Sequence, residues 1–202
     1  MQQLPAFDDP SVEAPPHLLP RSPGRSRRPV RPFSIAAWLL AAASAWFAYE
    51  HFGEQAKAVY RVSTTPAPAA LPMPVVGVAP GALHDSWHAQ RSGGRKHEGI
   101  DIFARRGTPV VSPVSGIVTS VGQDRLGGNI VRVMGPGRQV HYFAHLDRIA
   151  PIRRWDLVSA GDVLGYVGNT GNARGGSPHL HYGIYTAAAG AINPYPLLRA
   201  SR

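Results

Sequence analysis

The chain has 202 residues, enough for one domain of ordinary size with appendages. It contains no cysteine, which excludes a disulfide framework and any thiolate metal site, so a metal would have to be held by histidine and carboxylate. The net charge of +9 is almost wholly arginine, but no helix-turn-helix pattern, zinc-finger spacing or basic stripe interleaved with aromatics accompanies it; nucleic acid is therefore not the expected partner, and an anionic lipid or polymer fits better.

In chain order, residues 1–32 are rich in Pro and Arg and poor in large apolar side chains, and are expected to be a disordered basic tail. Residues 33–49 (FSIAAWLLAAASAWFAY) carry no charge. As a helix they would reach roughly 25 Å at ~1.5 Å per residue, just enough for a transmembrane anchor. Arg21, Arg25, Arg27, Arg28 and Arg31 precede this run, so the positive-inside rule puts the N-terminus in the cytoplasm and everything after Glu50 outside the inner membrane. A cleavable signal peptide is the rival reading, because Ala43-Ser44-Ala45 has the small-x-small form of a cleavage site. Residues 50–79 are expected to be a juxtamembrane and Pro-rich linker: a short helical extension from Glu50 to Tyr60, then an extended spacer from Thr64 to Pro80.

The folded domain is expected over residues 80–198, and it reads as all-β. Short β-branched runs alternate with Gly, Pro and Asn punctuation at 109–114, 116–121, 129–134, 139–145, 162–167 and 179–185. Three of its segments carry chemistry. In His179-Leu180-His181-Tyr182-Gly183-Ile184-Tyr185 the strand period of two puts His179 and His181 on one face, and Leu180, Tyr182 and Ile184 toward the core. His97 and Asp101, four apart, could meet on a helix face or where a loop enters the strand-like Ile100-Asp101-Ile102-Phe103; either geometry lets them converge on one ion. His145 ends a third strand-like run that begins at His141. Several imidazoles and one carboxylate resemble a mononuclear zinc hydrolase site, in which two histidines and an acid leave a fourth position for water.

The joint order of these segments resembles the M23 (LytM/lysostaphin-type) zinc metallopeptidases. The likeness runs from about Pro80 to Pro196 through RKHEGIDIFARRGTPVVSPVSGIVTSVG, GGNIVRVMG, HYFAHL, AGDVLGYVGNTGNARGGSPHLHYGIY and INPYPLL. It implies a lysostaphin-like, barrel-like β domain with one zinc ion, His97, Asp101 and His181 as ligands, and His145 and His179 as catalytic histidines outside the metal's ligand set. It further implies hydrolysis of peptide cross-links in bacterial peptidoglycan, with the D-Ala to meso-diaminopimelate bond as the first expectation, from the periplasmic side of the inner membrane.

Other residues have plainer readings. Glu98 is expected to be solvated, His141 to lie on the surface rather than in the groove, and His84 and His88 to be structural or groove-rim residues, while turn chemistry explains Asn129 and Ser177. Two other functions share parts of this pattern. A biotinyl- or lipoyl-like carrier would need a lysine for attachment, and none follows Lys96. A catalytically silent LytM-like domain that activates other cell-wall hydrolases would not need the complete set of ligands found here.

Overall fold

A computed structural model describes residues 32–201 of the protein, so the expected basic tail with its arginine cluster lies outside the described residues. The chain divides into two compact units, Met1–Ser44 and Ala45–Arg202. The described part of the first is the start of helix α1 (Pro32–Thr64). Its large side chains Ile35, Trp38, Leu39 and Leu40 are exposed. The apolar run is thus helical, but no helix among the described residues is long and apolar enough to cross a membrane. The transmembrane anchor expected over 33–49 is therefore not shown among the described residues, and Glu50 and Glu54 follow the run at once.

In the second unit α1 continues to Thr64 without a break, four residues beyond the expected extension. Ala58 and Val62 are buried against Ile117, with Met134 beside them, so this end of the helix carries an apolar face of its own. The proline-dense stretch that follows is extended, as its composition dictates, yet its later part packs into the domain. Leu71 and Val75 are fully buried in the main core. Leu71 N–H donates to the Leu197 carbonyl at 2.9 Å, and Val111 N–H to that of Pro74 at the same distance. The packed domain therefore reaches back to Leu71, ahead of the expected start at residue 80: two well-spaced aliphatic side chains are enough to seat a segment that cannot form a regular strand.

Two antiparallel sheets make up the domain. The larger has seven strands: β1 (Ile100–Phe103), β3 (Gly116–Asp124), β4 (Gly128–Met134), β5 (Val140–Leu146), β7 (Leu157–Val158), β9 (His179–Thr186) and β10 (Gly190–Ile192), in the order β1-β9-β5-β4-β3-β7 with β10 also on β9. The smaller joins β2 (Pro109–Val111), β8 (Val163–Tyr166) and β6 (Arg148–Ile149) in the order β2-β8-β6. One apolar core takes Val110 and Leu164 from the smaller sheet and Ile100, Val131, Phe143 and Tyr182 from the larger. It thus covers one face of the seven-stranded sheet and leaves the other free to carry polar groups. A five-residue helix α2 (Tyr195–Arg199) buries Leu198 in that core near the C-terminus.

Candidate metal centre

The free face of the large sheet is where the candidate ligands meet. In β9, Leu180, Tyr182 and Ile184 enter the core, so His179 and His181 must point to the opposite face. In β1 the same alternation buries Ile100 and Ile102 and turns Asp101 and Phe103 outward. The two strands are paired with Asp101 directly opposite His181 and Phe103 opposite His179. Register alone thus brings a carboxylate and an imidazole 80 residues apart in sequence into contact. Gly99, just before β1, lies where backbone and imidazole crowd: a Cβ there would fall 2.6 Å from the Tyr182 carbonyl oxygen and 2.7 Å from His181 Cε1.

His97 arrives from the loop, not from a helix, which decides between the two geometries left open by the sequence. Its N–H donates to the Ala89 carbonyl, and the His88 N–H donates back to the His97 carbonyl, both at 2.9 Å. The ring is buried, and its Nδ1 lies 2.7 Å from the Ser86 carbonyl oxygen. A carbonyl can only accept, so Nδ1 carries the proton and the Nε2 lone pair faces inward. Nε2 is 3.1 Å from Asp101 Oδ1 and 2.8 Å from His181 Nδ1, while Asp101 Oδ1 and His181 Nδ1 are 3.2 Å apart. Three ligating atoms within 4.8 Å of one another, each offering a lone pair, repel unless a cation or proton lies among them. Two imidazole nitrogens and one carboxylate oxygen are the donor set of a zinc site with an open position, so these residues fit that metal.

The surroundings orient these ligands. Arg91 holds Asp101 Oδ2 by an ion pair, leaving Oδ1 for the centre, and the Ser86 hydroxyl accepts the Asp101 N–H at 3.1 Å. Burial raises the Asp101 pKa, but the neighbouring His181 and His97 side chains outweigh it and hold the carboxyl well below the usual range. Burial pushes the His181 pKa down, against the opposing pull of Asp101.

His145 reaches the same face by a different device. In β5, Phe143 is buried in the core, and strict alternation would send His145 there too. Its φ of 64° breaks the alternation and re-aims the ring outward, while Leu146 takes the core position. A non-glycine residue in this region costs on the order of 1 kcal/mol or more and persists only where neighbours enforce it. Here His145 N–H donates to the Gly127 carbonyl at 2.7 Å, and Nδ1 donates to that of Thr170 at 2.9 Å. His179 Nδ1 likewise donates to the Ser177 carbonyl at 2.8 Å. Each ring keeps an Nε2 lone pair, and that of His179 lies 3.8 Å from Asp101 Oδ1. The ring centroids of His145 lie 5.0 Å from His179 and 5.8 Å from His181. Burial, then the neighbouring His181 and His179, bring the His145 pKa down to about 4.

All five expected site residues therefore line one groove of about 830 Å³. Residues 95–194 match the family model for peptidase family M23. The chain belongs to that family. Over 130 residues it is 39% identical to the L-Ala–D-Glu endopeptidase of Bacillus subtilis (strain 168), an alignment covering 59% of this chain and 40% of that protein. Over 88 residues it is 38% identical to the DD-carboxypeptidase/endopeptidase Mpg of Neisseria meningitidis serogroup B, covering 44% and 20%. The chain thus spans well under half the length of either. Among solved M23 structures, a putative glycyl-glycine endopeptidase LytM from Ruminococcus gnavus superposes with a TM-score of 0.55 at 34% identity, covering 69% of this chain and 61% of that one. The lysostaphin catalytic domain from Staphylococcus simulans superposes at 0.51 with 28% identity, covering 57% and 90%. The mostly-β, two-sheet domain is the lysostaphin-like fold of M23.

Some sequence readings change. His141 was expected on the surface but is fully buried, because β5 lies between β4 and β9; its Nδ1 shares a 2.7 Å hydrogen bond with the Tyr182 hydroxyl. Asn129 does more than shape a turn: its Nδ2 donates to the carbonyls of Leu146 and Asp147, each at 3.0 Å, just past His145. Sequence reasoning missed Arg91, Ser86 and Thr170 altogether. Two of them orient a site imidazole through a backbone carbonyl, which leaves no trace in residue identity, and Arg91 is one arginine among many. Glu98 lines the groove with an exposed side chain, as expected. His84 and His88 do not line it. A second cavity of about 560 Å³, beside Gln55, Ile152 and Tyr166, contains no histidine.

Proposed function

We propose that this M23 domain is a zinc-dependent endopeptidase that hydrolyses peptide cross-links of bacterial peptidoglycan. The observation that carries the reading is the constellation itself: His97, Asp101 and His181 converge on one point, and two further histidines with inward lone pairs stand beside it. A regulator that only binds other hydrolases has no physical need for those two rings. Zinc, when held by the three ligands, supplies Lewis acidity toward a scissile carbonyl and toward water. The protein does the rest. Arg91 holds the Asp101 carboxylate, and the Ser86 hydroxyl holds the Asp101 backbone N–H. His145, uncharged at neutral pH and anchored through Nδ1, accepts a proton from attacking water at Nε2 and can return it to the leaving amine. His179, anchored in the same way, presents a second Nε2 lone pair that can accept from and orient the attacking water.

Peptidoglycan is the substrate that the related hydrolases suggest, and a chain of net charge +9 is drawn to that anionic envelope. We place its action outside the cytoplasmic membrane, where the polymer lies; protease accessibility of the domain in opened but unlysed cells tests the placement. The test of function is zinc stoichiometry together with turnover on purified peptidoglycan. The full chain is expected to hold one zinc and to lose cross-link hydrolysis with a chelator; zinc-loaded protein without turnover would leave only a binding role.

A further inference from the structure

The groove around the candidate centre has an uneven charge balance, and that imbalance bears on what enters it. Its lining includes the cations Arg91, Arg95, Lys96, Arg125 and Arg132. Two of these are already engaged. Arg91 pairs with Asp101, and Arg132 lies 3.6 Å from Asp124 and over the Tyr142 ring. Asp124 is itself fully used: Oδ1 accepts the Leu126 and Gly127 N–H groups, and Oδ2 accepts the Tyr142 hydroxyl at 2.8 Å. The turn that Asp124 builds between β3 and β4 presents Arg125 at its tip, exposed and without an ion-pair partner among the described residues. On another segment, the loop before His97, Arg95 and Lys96 are exposed and likewise unpaired. Against these three free cations the groove sets one free carboxylate, Glu98.

Resting on the peptidase reading above, we propose that the groove selects peptides with carboxylates flanking the scissile bond, over neutral bridges, and that Arg125 and Arg95 with Lys96 are the specificity-determining receptors. The physical case is twofold. A guanidinium offers a planar fork that matches a carboxylate, so Arg125 can take it by two parallel N–H···O bonds. A partly enclosed groove with like charges on separate segments also concentrates an anionic ligand before contact, an effect that salt reverses. A glycine bridge gains from neither. Glu98 opposes a carboxylate at its own position, so the receptors act in the parts of the groove they themselves line.

The test uses the full zinc-loaded chain and two synthetic cross-linked stem-peptide dimers, identical except that carboxylates in one are carboxamides in the other. The carboxylate form is expected to be cleaved with about fivefold or more higher kcat/KM, expressed in KM, with the preference shrinking as ionic strength rises. Combining Arg125→Gln with Arg95→Gln is expected to bring the ratio near unity. The same two peptides are then titrated calorimetrically into a His145→Ala chain, which reads binding without turnover. Equal cleavage and equal binding of the two forms would overturn the proposal. Tighter binding of the carboxylate form with no cleavage of either by the wild-type chain would sustain the groove's selectivity while refuting the peptidase reading.

Discussion

His181 and His145 carry the same side chain in different settings, and substitution should separate them. His181 turns Nδ1 toward Asp101 and His97 within the ligand cluster, whereas His145 uses Nδ1 on the Thr170 carbonyl and stands beside the cluster. His181→Ala is expected to abolish zinc binding, read by metal analysis. His145→Ala should keep its zinc and lose about 10²–10⁴ in turnover, the usual range for removing a general base. Activity retained by either variant would sink the assignment. Gly99 offers a test that touches no ligand directly. Backbone and ring lie where its Cβ would sit, so Gly99→Ala must displace Tyr182 backbone or the His181 imidazole. Zinc affinity should drop about tenfold or more, as for a disturbed ligand orientation, and an unchanged affinity would show that the strand edge can yield.

Among the elements, β9 was the most legible in sequence and β5 the least. H-x-H followed by alternating Leu180, Tyr182 and Ile184 has only one sensible strand reading, and the register with β1 then places Asp101 opposite His181. That core face also carries much of the stability. Leu180→Ala is expected to cost about 2–5 kcal/mol, seen as a lower urea midpoint, because its site is fully buried and packed on both sides. In β5 the same reasoning would fail, since period two assumes an unbroken strand and the left-handed conformation at His145 breaks it. His141 was misplaced for another reason: a histidine in a central strand is not marked as buried by its type. Its burial makes a pH prediction. Desolvation lowers the His141 pKa to about 4, from an ordinary value of 6.5. The unfolded chain therefore takes up its proton first as pH falls. Stability from this group is full above about pH 6.5, declines toward pH 4 and levels off below it, a change on the order of a few kcal/mol. His141→Gln should flatten that slope in urea unfolding measured across the window; an unaltered slope would assign it to other groups such as His145.

For the molecule as a whole, sequence reading found the all-β class and named five residues that the fold brings into one groove, but not how far the domain extends. Leu71 and Val75 lie in proline-dense sequence whose composition signals a spacer, and only the tertiary fold shows them filling the core. Composition likewise suggests a spanning helix over 33–49, which is not shown among the described residues. What the whole molecule presents is a positively charged groove built around a His-Asp-His cluster on the free face of one sheet. The most direct test of that account is mass spectrometry of the fragments released from purified peptidoglycan by the full chain, with and without a chelator. The account predicts that cross-linked species disappear and new peptide termini appear only while zinc is present. Intact cross-links after incubation with folded, zinc-loaded protein would contradict it.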